Sequence, residues 1–352
     1  MRHHQLIGLH PTATQNTAVD ASLFYGPIEA GCQFVRQKKS ARESLLVSRL
    51  FKALAWGFNQ PYLLLATTML CWSGNVVLGR AVAGEIPPVM LAQIRWVGAA
   101  VLLTPFAWHH VRRDWGQVRA HLPLMLLLAF TGITSYNTLA YLGLQYTTAI
   151  NGLLIQSAAP LIIGFWSLVL FRDALTRRQL AGILISMVGV LTILTRGRLE
   201  ALLSLAFNAG DILFFLAFLF YGFYSAMLRK KPDIHWLSFL WFAIMFGAVL
   251  LLPAFFLELQ GGARADLSWP SLAAFAYVIL FASLLAYICF NRAVELVGAN
   301  HAGPFFHLMP LFGSIMAILF LGEKPALFHA FGYALILIGV IAGQRRGKTV
   351  LT

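Results

Sequence analysis

The chain has 352 residues, of which 59% are hydrophobic and 11% charged, whereas a soluble domain carries about 25% charged residues. This balance excludes an ordinary water-soluble protein and puts the chain in a bilayer. The net charge of +13 does not call for a nucleic-acid partner, because the basic residues sit in short loops and tails between apolar runs, where they orient a membrane protein.

Residues 1–40 are polar and irregular and lack the basic flank, apolar run and small-residue cleavage site of a signal peptide. From Arg42 to Phe58 an apolar set (Leu45, Leu46, Leu50, Phe51, Leu54, Trp56) interleaves with Arg42, Arg49 and Lys52. That fits either a helix lying in the headgroup region or a solvated juxtamembrane segment, so 1–60 reads as a polar tail with an interfacial helix as one option. Beyond Pro61 come ten apolar runs of about twenty residues each, the length that crosses roughly 30 Å of hydrocarbon as helix. They cover 61–80, 88–108, 122–143, 148–171, 178–196, 209–229, 236–257, 271–292, 301–321 and 326–343, and a basic tail, 344–352, follows. The expected fold is an all-α membrane protein of ten transmembrane helices. Connections are short, so no segment between them can hold a soluble catalytic domain. Cys32, Cys71 and Cys289 include no close pair and no ligand-spaced histidine, so no disulfide framework, metal site or cofactor is expected.

Basic loops stay on the cytoplasmic side. One set of loops carries Arg112, Arg113, Arg119, Arg172, Arg177, Arg178, Arg229, Lys230, Lys231 and Arg292, while the other has only Arg80, Arg196, Arg198, Arg264 and Lys324. Both termini fall with the first set and are expected in the cytoplasm.

The chain repeats itself. Ala149 over Ala299, Pro160-Leu161 over Pro310-Leu311, Asp173 over Glu323, Gly182 over Gly332 and Gly189-Val190 over Gly339-Val340 all lie 150 residues apart. The matches fall on proline, glycine and an acid, which have positional meaning in helices. Trp72 and Arg80 over Tyr221 and Arg229, and Pro105 over Pro253, extend the pairing with slightly different offsets. The halves are 61–196 and 209–343. Five helices per half is an odd number, so the second half must run the opposite way through the membrane, an inverted-topology repeat of the kind many secondary transporters use.

With its ten helices in two halves, Trp72-Ser-Gly-Asn75, Arg95-Trp96, Ala149 to Pro160-Leu161, Phe171-Arg-Asp173 and Leu321-Gly-Glu323 with Gly332 and Gly339, the chain resembles the drug/metabolite transporter superfamily of the EamA type over about 61–343. The resemblance implies a secondary carrier, an exporter or facilitator of small metabolites such as amino acids or related compounds, working by alternating access. It also implies a central cavity walled by the first, third, fourth, sixth, eighth and ninth helices.

Polar groups deep in apolar runs are the informative ones. Arg95, seven residues into its helix, fits an anchor for an anionic substrate, or a side chain near one interface whose guanidinium snorkels or bonds backbone carbonyls. Asp and Glu fall at helix ends or in loops, and the deepest titratable group is His307, either a proton-coupling or a packing histidine. Pro160 and Pro310 are expected as mid-helix kinks that free the carbonyls of Gln156 and Phe306. Gln156, Ser157 and His307 would then stand at a substrate site between the fourth and ninth helices. Trp72, Asn75, Tyr136, Asn137, Tyr221, Tyr224, Tyr287 and Asn291 complete the expected cavity, since Tyr and Trp cover apolar surface while offering a polar tip; an interfacial aromatic belt is the alternative for the aromatic ones. Gly182, Gly189, Gly332 and Gly339 suggest close helix contact or a homodimer. An intramembrane enzyme is the competing function, but His109-His110 reads as part of a loop with no paired carboxylate, and no phosphate-binding loop occurs for nucleotide-driven transport.

Overall fold

The computed structural model describes residues 56–344 except 83, 148–151, 153–154, 199, 201–207, 267, 322–323 and 325. The expected tail and most of the interfacial segment, Glu323 and the basic tail beyond residue 344 lie outside the described residues. All described elements are helical. In chain order they are α1 (Pro61–Ala81), α2 (Pro88–Ala120), α3 (Leu122–Tyr146), α4 (Ala159–Phe171), α5 (Arg177–Leu194), α6 (Ala209–Met227), α7 (Trp236–Gln260), α8 (Trp269–Val297), α9 (Leu308–Leu321) and α10 (Leu327–Gln344). Eight of these are long and apolar enough to cross a membrane; α4 and α9 are shorter.

The two short helices mark a departure from the expected kinks. A turn at Ala158 precedes α4, and a tight 3-10 stretch, Gly303–His307, precedes α9. Pro160 therefore lies in the first turn of α4 and Pro310 in the first turn of α9. The reason is that proline lacks an N–H and its ring collides with the carbonyl four residues back, so it is better tolerated where helical N–H groups are unpaired anyway. The chain breaks upstream of each proline and does not bend through it. Pro105 and Pro253, in contrast, stay inside α2 and α7.

A second correction concerns α2. Its 33 residues would reach about 50 Å at 1.5 Å per residue, well beyond the hydrocarbon core. His109, His110, Arg112, Arg113 and Arg119 are helical and do not belong to a loop.

Contacts between the halves fix their relative direction. Along α2 and α7, backbone N–H groups of Val89 and Met90 donate to the Glu258 carboxylate (3.0 and 2.6 Å), Trp241 Nε1 donates to Thr104 Oγ1 (2.8 Å), and Ser238 Oγ donates to Asp114 (2.7 Å). Residue numbers rise on one helix as they fall on the other, so these equivalent helices are antiparallel. Each also caps the other: Glu258 takes the orphan N–H groups that open α2, and Asp114 takes the His235 N–H (2.9 Å) just before α7.

α5 and α10 show the same symmetry. A Cβ on Gly182 would lie 2.5 Å from the Gly339 carbonyl oxygen, and one on Gly189 would lie 2.7 Å from that of Gly332. Exchanging the halves turns the first contact into the second. These glycines thus seat two equivalent helices backbone to backbone within one chain.

α3 and α8 each contain a wide π-helical turn, Phe130–Ser135 and Val278–Leu285, which overlap at the repeat spacing. Such a turn drops ordinary i to i−4 bonds and leaves carbonyls for other partners. Gly132 and Ala282 supply those carbonyls, and they are equivalent positions 150 apart. The fold is a pair of inverted repeats of one helical unit.

Candidate functional site

Three positions meet their own repeat-equivalents and so mark the axis between the halves. Asn137 Nδ2 donates to Tyr287 Oη (3.2 Å), His307 Nε2 bonds the Ser157 carbonyl (2.8 Å), and the rings of Trp72 and Tyr221 lie edge to face with centroids 5.4 Å apart. Around the first and third of these pairs the centre of the bundle is an aromatic plug. Trp72 touches Tyr287, Phe290 and Phe306 at 5.6, 5.3 and 5.9 Å, and Tyr221 touches Tyr136 and Tyr224 at 4.5 and 5.6 Å. Trp72, Tyr221, Tyr224 and Tyr287 are buried, while Tyr136 is partly exposed.

The plug is held by the π turns. Tyr287 Oη donates to the Gly132 carbonyl (2.7 Å), and Trp72 Nε1 donates to the Ala282 carbonyl (3.1 Å). Gly132 also makes room: any Cβ there would run into the Tyr224 ring.

On one side of the plug lies a cavity of about 460 Å³ bounded by Ser167, Asp173, Ser225, Arg229, Lys231, Asn291 and Glu295, that is, by α4, α6, α8 and the ends that follow them. The size suits a small-molecule ligand. Asn291 Oδ1 accepts from Tyr224 Oη (2.8 Å), while its Nδ2 has no partner among the described residues. Ion pairs Arg229–Asp173 (3.4 Å), Lys231–Glu295 (3.5 Å) and Arg292–Glu295 (3.0 Å) rim the mouth. Of these, Arg229–Asp173 is exposed on both sides and contributes about 0–1 kcal/mol, while Lys231 and Arg292 are partly buried.

On the other side, Arg95 is fully buried. It donates to Ser283 Oγ (2.6 Å), Asn137 Oδ1 (2.8 Å), Tyr141 Oη (2.9 Å) and the Ala282 carbonyl (2.7 Å). Tyr141 Oη in turn donates to Asn75 Oδ1 (2.8 Å). One guanidinium thereby ties α2 to α3 and α8, and through Tyr141 to α1. Arg95 does not snorkel: α3 and α8 supply four acceptors that keep the group inside, one of them the Ala282 backbone carbonyl that the alternative reading allowed.

Gln156, Ser157 and His307 come together at the two chain breaks, as a site between the fourth and ninth segments requires, but none of them lines the cavity. Gln156 Nε2 contacts Met309 Sδ, and its Oε1 is unpartnered among the described residues. His307 is bonded on both ring nitrogens, Nδ1 to Ser186 Oγ and Nε2 to the Ser157 carbonyl. A carbonyl only accepts, so Nε2 carries hydrogen. Phe306 joins this break to the plug through Trp72 and Tyr221.

The described residues thus form a duplicated helical bundle with a cavity linked to its two-fold centre through Tyr224. The EamA-like transporter family profile matches twice, over residues 59–195 and 208–342. The chain belongs to the EamA-like transporter family. Among its relatives are an uncharacterized transporter of Archaeoglobus fulgidus (30% identical over 287 residues, 80% of this chain and 96% of the relative) and the uncharacterized transporter YyaM of Bacillus subtilis (26% over 285 residues, 80% and 93%). A relative in Chlamydia trachomatis, 24% identical over 277 residues (75% and 84%), is named as an S-adenosylmethionine/S-adenosylhomocysteine transporter. A solved crystal structure, 17% identical, superposes with a TM-score of 0.63 over 81% of this chain and 96% of the other, a likeness of fold alone. This EamA-like protein is accordingly a multi-pass membrane transporter of small molecules and not an enzyme.

The sequence reading named Asn291 but did not single out Ser225 at the cavity, Ser283 and Tyr141 around Arg95, or the π turns. Ser283 and Asn291 lie eight residues apart on α8, one face of a helix, which is the signal that a helical-face reading of that run would have caught.

Proposed function

We propose that this EamA-like protein is a secondary carrier that moves small metabolites, amino acids or related compounds, across the inner or plasma membrane by alternating access. Ten spans are proposed, the fourth and ninth being the broken segments ahead of α4 and α9. The positive-inside count puts both termini and the cavity mouth at Arg229 and Lys231 in the cytoplasm. Substrate enters from that side, and the Trp72–Tyr221–Tyr287 plug closes the far side. The observation that carries the reading is a cavity walled by both halves of an inverted repeat, α4 from the first and α6 and α8 from the second, and linked to the aromatic centre through the Tyr224–Asn291 hydrogen bond. Gln156, Ser157 and His307 form the second layer behind Phe306. Opening to the other side requires the plug to repack, and Phe306 passes that movement to the breaks. The relative named for S-adenosylmethionine makes compounds carrying an amino-acid moiety the first to try, with net export as the direction. The glycine pairs close α5 on α10 within one chain, so a homodimer would need a different face.

Uptake into everted membrane vesicles from over-producing cells tests this, with amino acids and S-adenosylmethionine as solutes. The expected result is saturable accumulation of an unaltered solute. Asn291→Ala should reduce apparent affinity about two- to tenfold, the cost of one lost hydrogen bond. Normal uptake by a well-expressed Asn291→Trp protein, with a filled cavity, would rule the site out.

A further inference from the structure

α2 is longer than the bilayer requires, and its excess carries basic residues. At 1.5 Å per residue, Trp108 and Arg112 stand about 30 and 36 Å from Pro88 along the helix axis. They therefore fall at and just beyond the far edge of a hydrocarbon core roughly 30 Å thick. At that level the outer side of the bundle is concave. A groove of about 610 Å³ opens between α2 and α7, the first contributing Trp108, Arg112 and Trp115 and the second Trp241, Met245 and Val249. The two helices are antiparallel, so Val249 lies about 12 Å deeper in the bilayer along α7 than Trp241, and the groove runs from headgroup depth into the hydrocarbon.

Its walls are held in place. Trp241 Nε1 is tied to Thr104 Oγ1 (2.8 Å), and the Trp115 ring stacks along that of Phe242 (centroids 5.7 Å apart), which is buried and forms the floor. Tryptophan at headgroup level satisfies an apolar body and a polar edge at once. Arg112 sits over the Trp108 ring, 5.7 Å from its centroid. It has no carboxylate partner among the described residues, whose ion pairs take Arg113, Arg229, Lys231 and Arg292. A groove that is apolar along its length and ends in an unpaired guanidinium at phosphate depth is complementary to an acyl chain beneath an anionic headgroup. A second copy of the chain fits worse, because a two-fold axis along the membrane normal would bring its Arg112 to the same depth, like charge near like.

We infer that the α2–α7 groove is a binding site for one anionic phospholipid, its phosphate on Arg112 and an acyl chain laid over Phe242 toward Val249. α2 and α7 are equivalent helices of the two halves, and each caps the other through Glu258 and Asp114, so a lipid seated between them braces the joint between the halves. The site lies apart from the solute cavity and does not depend on the carrier reading; the topology proposed above makes the leaflet the cytoplasmic one.

The test is the melting temperature of the purified full-length protein in a non-ionic detergent, titrated with dioleoylphosphatidylglycerol, with dioleoylphosphatidylcholine of the same chains, and with glycerol 3-phosphate as a chainless headgroup. Phosphatidylglycerol should raise the melting temperature and saturate, while the other two leave it unchanged. Arg112→Gln should move the half-saturating concentration up about ten- to hundredfold, the weight of a hydrogen bond to a charged group. Val249→Trp, which fills the hydrocarbon end and leaves the arginine in place, should remove the response. Both side chains are exposed, so each variant should keep the basal melting temperature of the parent. Arg119→Gln, outside the groove, controls for general surface charge and should respond as the parent does. Equal stabilisation by phosphatidylcholine would mean an ordinary lipid annulus, stabilisation by glycerol 3-phosphate a phosphate site with no chain, and a doubled particle mass at saturation a second copy in the groove. Each of these overturns the inference, as does an Arg119→Gln loss equal to that of Arg112→Gln, a parent-like response from Arg112→Gln or Val249→Trp, or no response to phosphatidylglycerol at all.

Discussion

His307 shows how depth alone leaves a side chain with two roles, coupling or packing. Among apolar residues a titratable imidazole suggests proton coupling, yet both its ring nitrogens are spoken for, by Ser186 and by the Ser157 carbonyl. The prediction is that His307→Ala lowers stability by about 1–3 kcal/mol, the cost of stranding buried polar partners, and leaves the shape of any pH profile of transport unchanged. Loss of pH dependence in His307→Phe with normal stability would restore the coupling role. Gly132 makes the opposite kind of case, since its importance lies in what it lacks. Gly132→Ala pushes against the Tyr224 ring and should cost about 1–3 kcal/mol as overpacking. Melting in detergent reads this, together with slowed uptake if the plug is displaced; an unchanged melting temperature would mean that Tyr224 is free to move.

At the scale of elements, the glycine spacing on α5 and α10 was legible because a glycine at seven-residue intervals has few uses besides close packing. Which helix it would meet was not legible, because small residues name no partner. Replacing Gly182 or Gly339 by Val should destabilise the protein far more than the same change at the exposed Gly116, where nothing lies within 4 Å of an added Cβ. Equal melting temperatures would contradict the α5–α10 contact. The breaks before α4 and α9 were half legible. Proline announced a disturbance, but whether a helix bends at a proline or restarts there depends on the residues upstream and on the partners they find. The π turns left no mark, since no residue type requires them.

The junction of α2 and α7 adds a pH effect. His235 stacks on His110, centroids 3.6 Å apart, and its burial, reinforced by His110, holds its pKa below the usual 6.5, with Asp114 opposing. The folded protein therefore favours neutral His235, and the unfolded chain takes up a proton first as pH falls. The contribution of this group to stability is complete above about pH 6.5 and declines below it. His235→Asn keeps a side chain able to cap α7 and removes the titration, so its melting temperature should fall less between pH 8 and pH 5.5 than that of the parent. Identical slopes would assign the acid sensitivity elsewhere.

For the whole molecule, composition and run length disclosed the membrane, and paired prolines and glycines disclosed the duplication, because bilayer and helix constrain sequence strongly. The location of the cavity was not disclosed, since it depends on which faces of α4, α6 and α8 converge, and no linear spacing encodes that. Gln156 and His307, expected at the site, meet at the chain breaks and do not line the cavity, whereas Ser225 and Asn291 do. The central claim is that the two inverted halves enclose a cavity open to the cytoplasm and shut by the aromatic plug. The measurement that tests it most directly is thiol labelling of Asn291→Cys, with Cys32, Cys71 and Cys289 replaced by Ser, using an impermeant maleimide on everted and right-side-out vesicles. The account predicts rapid labelling in everted vesicles and protection in right-side-out ones; rapid labelling from the outside with protection from the cytoplasmic face would contradict it.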